Sequence, residues 1–230
     1  LIKSIYMMAE NAAHNRRSID EKQTTGGARM IAIIDYDAGN IRSVEKALLA
    51  LGQDVIVTAD RDEILHADKV ILPGVGAFGD AMEKLKQSGL DEVIREVTEK
   101  GTPFLGICLG LQLLFEHSDE APGVEGLGIL KGEILRIPDK EGYKIPHMGW
   151  NSLHLENDGR LFKGIAENSY VYFVHSYYLK AEEEQIVKAS TEYTTHIHAS
   201  VEKDNIFACQ FHPEKSSDVG LKILKNFVEL

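Results

Sequence analysis

From residue 30 onward, short apolar runs alternate with stretches in which apolar residues recur every three or four positions. Met30–Ile34 is a continuous apolar run, the pattern of a strand buried on both faces. Asn40 precedes a helical stretch in which Val44, Ala47, Leu48 and Leu51 share one face, and Gly52 closes it. Asp54–Thr58 and Lys69–Leu72 read as the second and third strands. Residues 77–87 and 90–100 read as helices, with Gly101 as a stop, and 103–107 as a fourth strand leading into a helix over 109–117. The alternation predicts an α/β fold, a mostly parallel central sheet flanked by helices, with ligands at the carboxyl ends of the strands. Beyond Gly123 the texture changes to extra β-strands in the second half, at 132–137, 171–177, 186–189, 196–201 and 206–211, before a last helix over 218–228.

Residues 1–29 have no sustained period, and their second half is polar, with Arg16, Arg17 and the run Thr24-Thr-Gly-Gly27. They lack the long apolar segment of a secretory signal. The expected organisation is a non-core N-terminal extension over 1–29, an expression-derived or disordered tail, followed by one catalytic domain over 30–230 that starts at Met30.

Composition narrows the function. The 230 residues carry a net charge of −11, from 36 acidic and 25 basic residues, which argues against nucleic acid as the main partner. No apolar run approaches the roughly 18 residues that a membrane helix needs. Two cysteines, Cys108 and Cys209, make no disulfide framework, so a reducing cytoplasm is the expected location.

One of those cysteines sits in a special setting. Gly106-Ile-Cys108-Leu-Gly110 lies where a buried strand turns into a helix, the cysteine version of the nucleophile elbow. Such a turn is tight, needs small neighbours and lifts the side chain above the sheet. The helix that starts at Leu109 directs its positive end at the sulfur and favours a thiolate. The Leu109 amide is also placed to stabilise an oxyanion. A base is offered by His212-Pro-Glu214: along an extended chain residues two apart point the same way, so Glu214 can hold one nitrogen of His212 and leave the other for Cys108.

Gly74-Val-Gly76-Ala-Phe-Gly79 matches the dinucleotide-binding pattern G-x-G-x-x-G letter for letter. It follows the third strand rather than the first, begins after Pro73, and the next strand ends in the cysteine elbow, not in an acidic residue. The reading adopted is a loop beside the elbow, whose Val75 and Gly76 amides complete the oxyanion hole. His196 and His198 share a strand face without a third ligand, a solvated or interface face and no metal site. Cys209 alternates with Phe207 and Phe211 and reads as core. Trp150 reads as either a buried aromatic or part of a partner-facing surface.

Gly106-Ile-Cys-Leu-Gly-Leu-Gln112 together with His212-Pro-Glu214 resembles the class I (triad) glutamine amidotransferases, a flavodoxin-like family. Five further segments, Asp35–Ile41, Pro73–Gly79, Pro146–Asn151, Tyr172–Tyr178 and Phe211–Ser217, are similar in order to the glutaminase subunits of imidazole glycerol phosphate synthases. That resemblance implies Cys108 as nucleophile, His212 as acid and base, and Glu214 as its orienter. It implies glutamine contacts from Gly76 and Gln112, with Ser176 and Tyr177 near the α-carboxylate and amine. It implies no cofactor. The partner would be a (β/α)8-barrel cyclase in a heterodimer, fed with ammonia through a tunnel to make imidazole glycerol phosphate and AICAR from PRFAR in histidine biosynthesis. Met148, Trp150, Tyr172 and Lys215 would lie towards that subunit. Two departures are small: Leu111 stands where the family often has Met, and Asp37 where it often has glycine. The rival readings are a class I glutaminase of another pathway (anthranilate, nucleotide or pyridoxal phosphate synthesis), a non-catalytic module that binds a metabolite or partner, and a free-standing cysteine hydrolase.

Overall fold

The apolar run that opens the pattern forms β1 (Met30–Ile34), buried at every position after the first. The computed structural model describes residues 30–37 and 39–230, so the extension expected over 1–29 lies outside the described residues. After β1 come α1 (Ile41–Ala50), β2 (Asp54–Thr58), α2 (Arg61–His66), β3 (Lys69–Leu72), α3 (Phe78–Ser88), α4 (Leu90–Glu99), β4 (Phe104–Ile107) and α5 (Leu109–Leu113). The second half supplies β5 (His117–Ser118), β6 (Gly132–Arg136), β7 (His147–Ser152), β8 (His154–Leu155), β9 (Tyr170–His175), β10 (Tyr177–Ala181), β11 (Val187–Glu192), β12 (His196–Lys203), β13 (Ile206–Cys209) and α6 (Ser217–Val228).

Among the described residues one 11-stranded sheet runs β2-β1-β3-β4-β13-β12-β10-β6-β5, with β8 and β11 off the main path. Its first five strands pair in parallel. From β13 onward the pairs that carry the sheet outward are antiparallel, through β12 and β10 to β6. The order 2-1-3-4 with β13 in fifth place is the flavodoxin-like order, in which ligands bind outside the carboxyl ends of the strands. One apolar layer holds Ile64 of α2, Phe78, Met82 and Leu85 of α3 and Val93, Ile94 and Val97 of α4. The opposite layer holds Val44 and Leu48 of α1 and Ile223, Leu224 and Phe227 of α6. Helices therefore cover both faces, and each buried Leu, Ile or Phe contributes about 1.5–3 kcal/mol. No described helix is long and apolar enough to cross a membrane.

The differences from the sequence reading have local causes. The helix expected over 109–117 stops at Leu113, because the carbonyls of Leu113, Leu114, Phe115 and Glu116 accept from Leu127, Ile129, Gly128 and Gly126 instead of continuing the helical ladder. The strand expected over 171–177 is two strands: β9 pairs with β7 in a separate sheet, and after Ser176 the chain enters the main sheet as β10. Helix α2 is an addition, although its start is written plainly: the Asp60 side chain accepts from the Glu63 amide. Strand β7 is another, interrupted in sequence by Gly149 at φ 134°. Asp37 adopts φ 60°, which accounts for the glycine expected there, and its carboxylate binds Lys84 at 2.8 Å.

Close approach at the turn after β4 dictates its glycines. A Cβ on Gly110 would lie 1.9 Å from the Leu72 carbonyl oxygen, and one on Gly106 would lie 2.7 Å from the Gly110 oxygen. Gly110→Ala is expected to cost roughly 3 kcal/mol, a drop in melting temperature of about 6–12 °C measured by calorimetry. A shift under about 2 °C would contradict this packing.

Candidate active site

Four segments reach the same end of the sheet: the Asn40 turn after β1, the Gly74 loop after β3, the Cys108 bend after β4 and the His212 segment after β13. Cys108 has φ 56° and ψ −109°, a conformation rarely adopted by residues other than glycine. Its amide donates to the Cys209 carbonyl at 2.8 Å, which ties the bend to β13. The side chain is 7% exposed at a cavity of about 280 Å³. That cavity is lined by Val75, Gly76, Cys108, Leu109, Gln112, Ser176 and Tyr177, every pocket residue expected from the sequence, and also by Glu120 and His175.

His212 and Glu214 lie beside this pocket with fully buried side chains. His212 Nδ1 and Glu214 Oε1 are 2.8 Å apart, and the same oxygen accepts from Asn40 Nδ2 at 2.7 Å. The expected pairing of histidine and carboxylate is present, but its geometry differs from the extended segment anticipated: β13 ends at Cys209, and Pro213–Lys215 is one 3-10 turn. The other ring nitrogen, Nε2, is buried without a hydrogen-bond partner. Burial works against charge on this ring, yet interaction with Cys108 and Glu214 outweighs it and lifts the His212 pKa to about 9. Cys108 thus acts on the imidazole although no complete hydrogen bond joins Nε2 to any atom. For Glu214, burial opposes the charge, while bonds from His212 and Asn40 hold the carboxyl below its ordinary range.

Of the oxyanion donors expected from the sequence, the Leu109 amide is already engaged. It donates to the Gly74 carbonyl at 3.4 Å. Gly74 has no room for a side chain, since a Cβ would lie 2.3 Å from the Tyr36 hydroxyl oxygen. Gly76 sits at φ 111°, with open space where a Cβ would be. On the far wall Gln112 Nε2 donates to the Tyr177 carbonyl at 3.2 Å and to Gln210 Oε1 at 3.0 Å, and Gln210 Nε2 lies 3.7 Å from the Cys108 sulfur.

Beside the pocket, the outward face of β7 and β9 carries Met148, 62% exposed, and Trp150, 52% exposed. Trp150 meets Tyr172 edge to face at 6.1 Å, and Lys215 is exposed nearby in sequence to His212. The sole tryptophan is therefore not a core residue. His198 departs from the solvated face expected for it: it is 7% exposed and accepts from the Ala181 amide, because β10 packs against β12 at that point. Cys209 is fully buried, as expected, and burial pushes its thiol pKa well up. Asn40, Glu120, His175 and Gln210 were not singled out in the sequence. Asn40 and His175 carried a signal only as members of the Asp35–Ile41 and Tyr172–Tyr178 segments.

A thiol on a strained strand–helix turn, beside an imidazole steadied by a carboxylate, is the arrangement of cysteine-dependent acyl transfer. Comparison with known proteins narrows that class. Residues 32–230 match the family model for glutamine amidotransferase class-I. The imidazole glycerol phosphate synthase subunit HisH of Caldanaerobacter subterraneus subsp. tengcongensis is 55% identical over 87% of this chain and 98% of its own length. The subunit of the same name from Methanocaldococcus jannaschii is 54% identical over 87% of this chain and 100% of its own. Two solved structures share the fold: a glutamine amidotransferase (TM-score 0.68, 18% identical, 88% of this chain and 98% of that one) and one from Thermotoga maritima (TM-score 0.60, 17% identical, 89% and 82%). The chain belongs to the class I glutamine amidotransferases, in the family of the imidazole glycerol phosphate synthase HisH subunits.

Asn40 is itself at φ 73°, so Asn40→Gly keeps the backbone and deletes only the donor to Glu214. A hydrogen bond to a buried carboxylate is worth about 1.5–3 kcal/mol, so glutamine turnover is expected to fall roughly tenfold or more. Unchanged turnover in a steady-state assay would contradict a supporting role for Asn40.

Proposed function

We propose that this chain hydrolyses the side-chain amide of glutamine through Cys108, His212 and Glu214 and hands the ammonia to a cyclase subunit in histidine biosynthesis. That subunit, a (β/α)8 barrel joined to this chain as a heterodimer, uses the ammonia to make imidazole glycerol phosphate and AICAR from PRFAR. The observation that carries the reading is the Cys108 bend opening on a glutamine-sized cleft beside the His212–Glu214 pair, in a chain more than half identical to HisH subunits.

The Cys108 sulfur attacks Cδ of glutamine, and His212 donates the proton that lets ammonia leave, giving a γ-glutamyl thioester. His212 then takes a proton from water, which attacks the thioester and releases glutamate. Glu214, held by Asn40, keeps the imidazole oriented. Gly76, Gln112, Ser176 and Tyr177 bind the glutamine. The Glu120 carboxylate, fixed through one oxygen by the Phe78 amide at 2.8 Å, offers its other oxygen to the substrate ammonium.

The tetrahedral oxyanion is held by the Leu109 and Val75 amides. In the resting arrangement Leu109 is committed to the Gly74 carbonyl. Turning the Gly74–Val75 peptide over withdraws that carbonyl and brings the Val75 N–H to the same side, a change made cheap by glycines at 74 and 76. Docking of the cyclase on Met148, Trp150, Tyr172 and Lys215 is the event that favours the turned state. The reaction needs no cofactor or metal. The net charge of −11 and the chemistry of the pathway suit a cytoplasmic protein that binds neither nucleic acid nor membrane.

Cys108→Ala, assayed with the cyclase partner, is expected to lose glutamine hydrolysis by at least about a thousandfold while still forming the heterodimer and still passing externally added ammonia to the cyclase. Surviving hydrolysis would overturn the assignment; so would a wild-type chain that binds partner but never hydrolyses glutamine.

A further inference from the structure

Two buried histidines outside the triad connect the exposed β7 face to the pocket. His175 Nδ1 lies 2.8 Å from the Tyr177 carbonyl, His175 Nε2 lies 3.0 Å from His147 Nδ1, and His147 Nε2 lies 3.4 Å from Asn151 Nδ2. Asn151 Nδ2 also donates to the Glu192 carbonyl at 2.8 Å, and Asn151 Oδ1 accepts from the Ser152 amide at 2.9 Å.

These contacts admit one arrangement of protons. A carbonyl oxygen only accepts, so His175 must carry its proton on Nδ1. In the neutral ring Nε2 is then an acceptor, which requires a proton on His147 Nδ1. His147 Nε2 is left as the acceptor for Asn151, whose orientation is fixed independently by Glu192 and Ser152. A second proton on either ring would set donor against donor. Burial agrees with this: it pushes the His175 pKa down to about 3 and that of His147 to about 4.

The two ends of this chain of bonds matter to the site. The Tyr177 carbonyl held by His175 also accepts from Gln112, which leads through Gln210 to the Cys108 sulfur. At the other end His147 stacks between Tyr193 and Phe173, at 4.0 and 4.9 Å, on the inner face of β7. The next residue, Met148, projects outward. We propose that His147 and His175 are positioning residues, a neutral pair locked in one tautomer that fixes the Tyr177 carbonyl and Gln112 for glutamine binding and ties that wall to the docking face of β7. This rests on the amidotransferase reading above and adds to it two residues outside the Cys108, His212 and Glu214 set.

The test compares His147→Phe, which keeps the stacking and deletes the donor, with His147→Asn, which keeps a donor near the Nδ1 position. In the complex with the cyclase, His147→Phe is expected to raise KM for glutamine about tenfold with kcat within about threefold, and His147→Asn to recover most of the loss. Wild-type KM in His147→Phe, a loss confined to kcat, or an Asn variant as impaired as Phe would overturn the proposal. Should the variants fail to fold, nitrogen-15 histidine spectra of the wild-type chain decide: two Nδ1-protonated rings that do not titrate between about pH 5 and 8 are expected. Either ring protonated at Nε2, or titrating in that range, overturns it. The spectra need no activity, so absent turnover in the wild-type complex, which would sink the amidotransferase reading, stays distinct from failure here.

Discussion

The site depends on a backbone bend that an amino acid with a side chain rarely adopts. At φ 56° Cys108 sits in a conformation that costs on the order of 1–3 kcal/mol and persists only where its surroundings enforce it. They do so from three sides. The Cys108 amide is bonded to the Cys209 carbonyl, its own carbonyl accepts from Leu111 and Gln112, and the glycines at 106 and 110 allow the turn to press against the Leu72 carbonyl. The parallel register Ile107↔Cys209 does double duty, because β13 runs on directly to His212. A slip of one residue between β4 and β13 would turn every side chain to the other face and separate sulfur from imidazole.

The same fold gives its histidines opposite characters. His212 has a carboxylate on one side and a thiol near the other, and its pKa rises to about 9 despite burial. His175 and His147 have no carboxylate beside them, so burial prevails and takes them to about 3 and 4. The signs follow by linkage. The stabilisation from His212 is complete below its unfolded value near 6.5 and is lost as pH rises through about 9. That from the neutral pair is complete above 6.5 and is lost as pH falls towards 4 and 3. The three together favour the fold most near pH 6.5, where the charged site and the neutral relay coexist.

Much of this was legible in the sequence, and the reason is local. The strand pattern, the Gly-x-Cys-x-Gly bend and the His-Pro-Glu segment are written in neighbouring residues, and the parallel α/β topology follows from the alternation of two periods. The limits were also local. Nothing near Asn40 announces that it will meet Glu214, 174 positions away. Glu120 and His175 join the pocket, and Gln210 reaches the Cys108 sulfur, only through the packing of the loop after β5, of β9 and of β13 around the elbow. Helix α5 looked longer than it is because the loop that caps its carbonyls lies more than ten residues on. The Gly74 loop lies beside the elbow as expected, but the direction of its peptide is not written in its residues, because glycine permits more than one.

Cys108, and not the second thiol, is the proposed group that meets glutamine. Peptide mapping after exposure of the complex to a glutamine-mimicking electrophile tests it directly. The expected result is a single covalent label on Cys108, suppressed by glutamine, with the buried Cys209 untouched. A label on Cys209, or a Cys108 label that glutamine does not suppress, would contradict it.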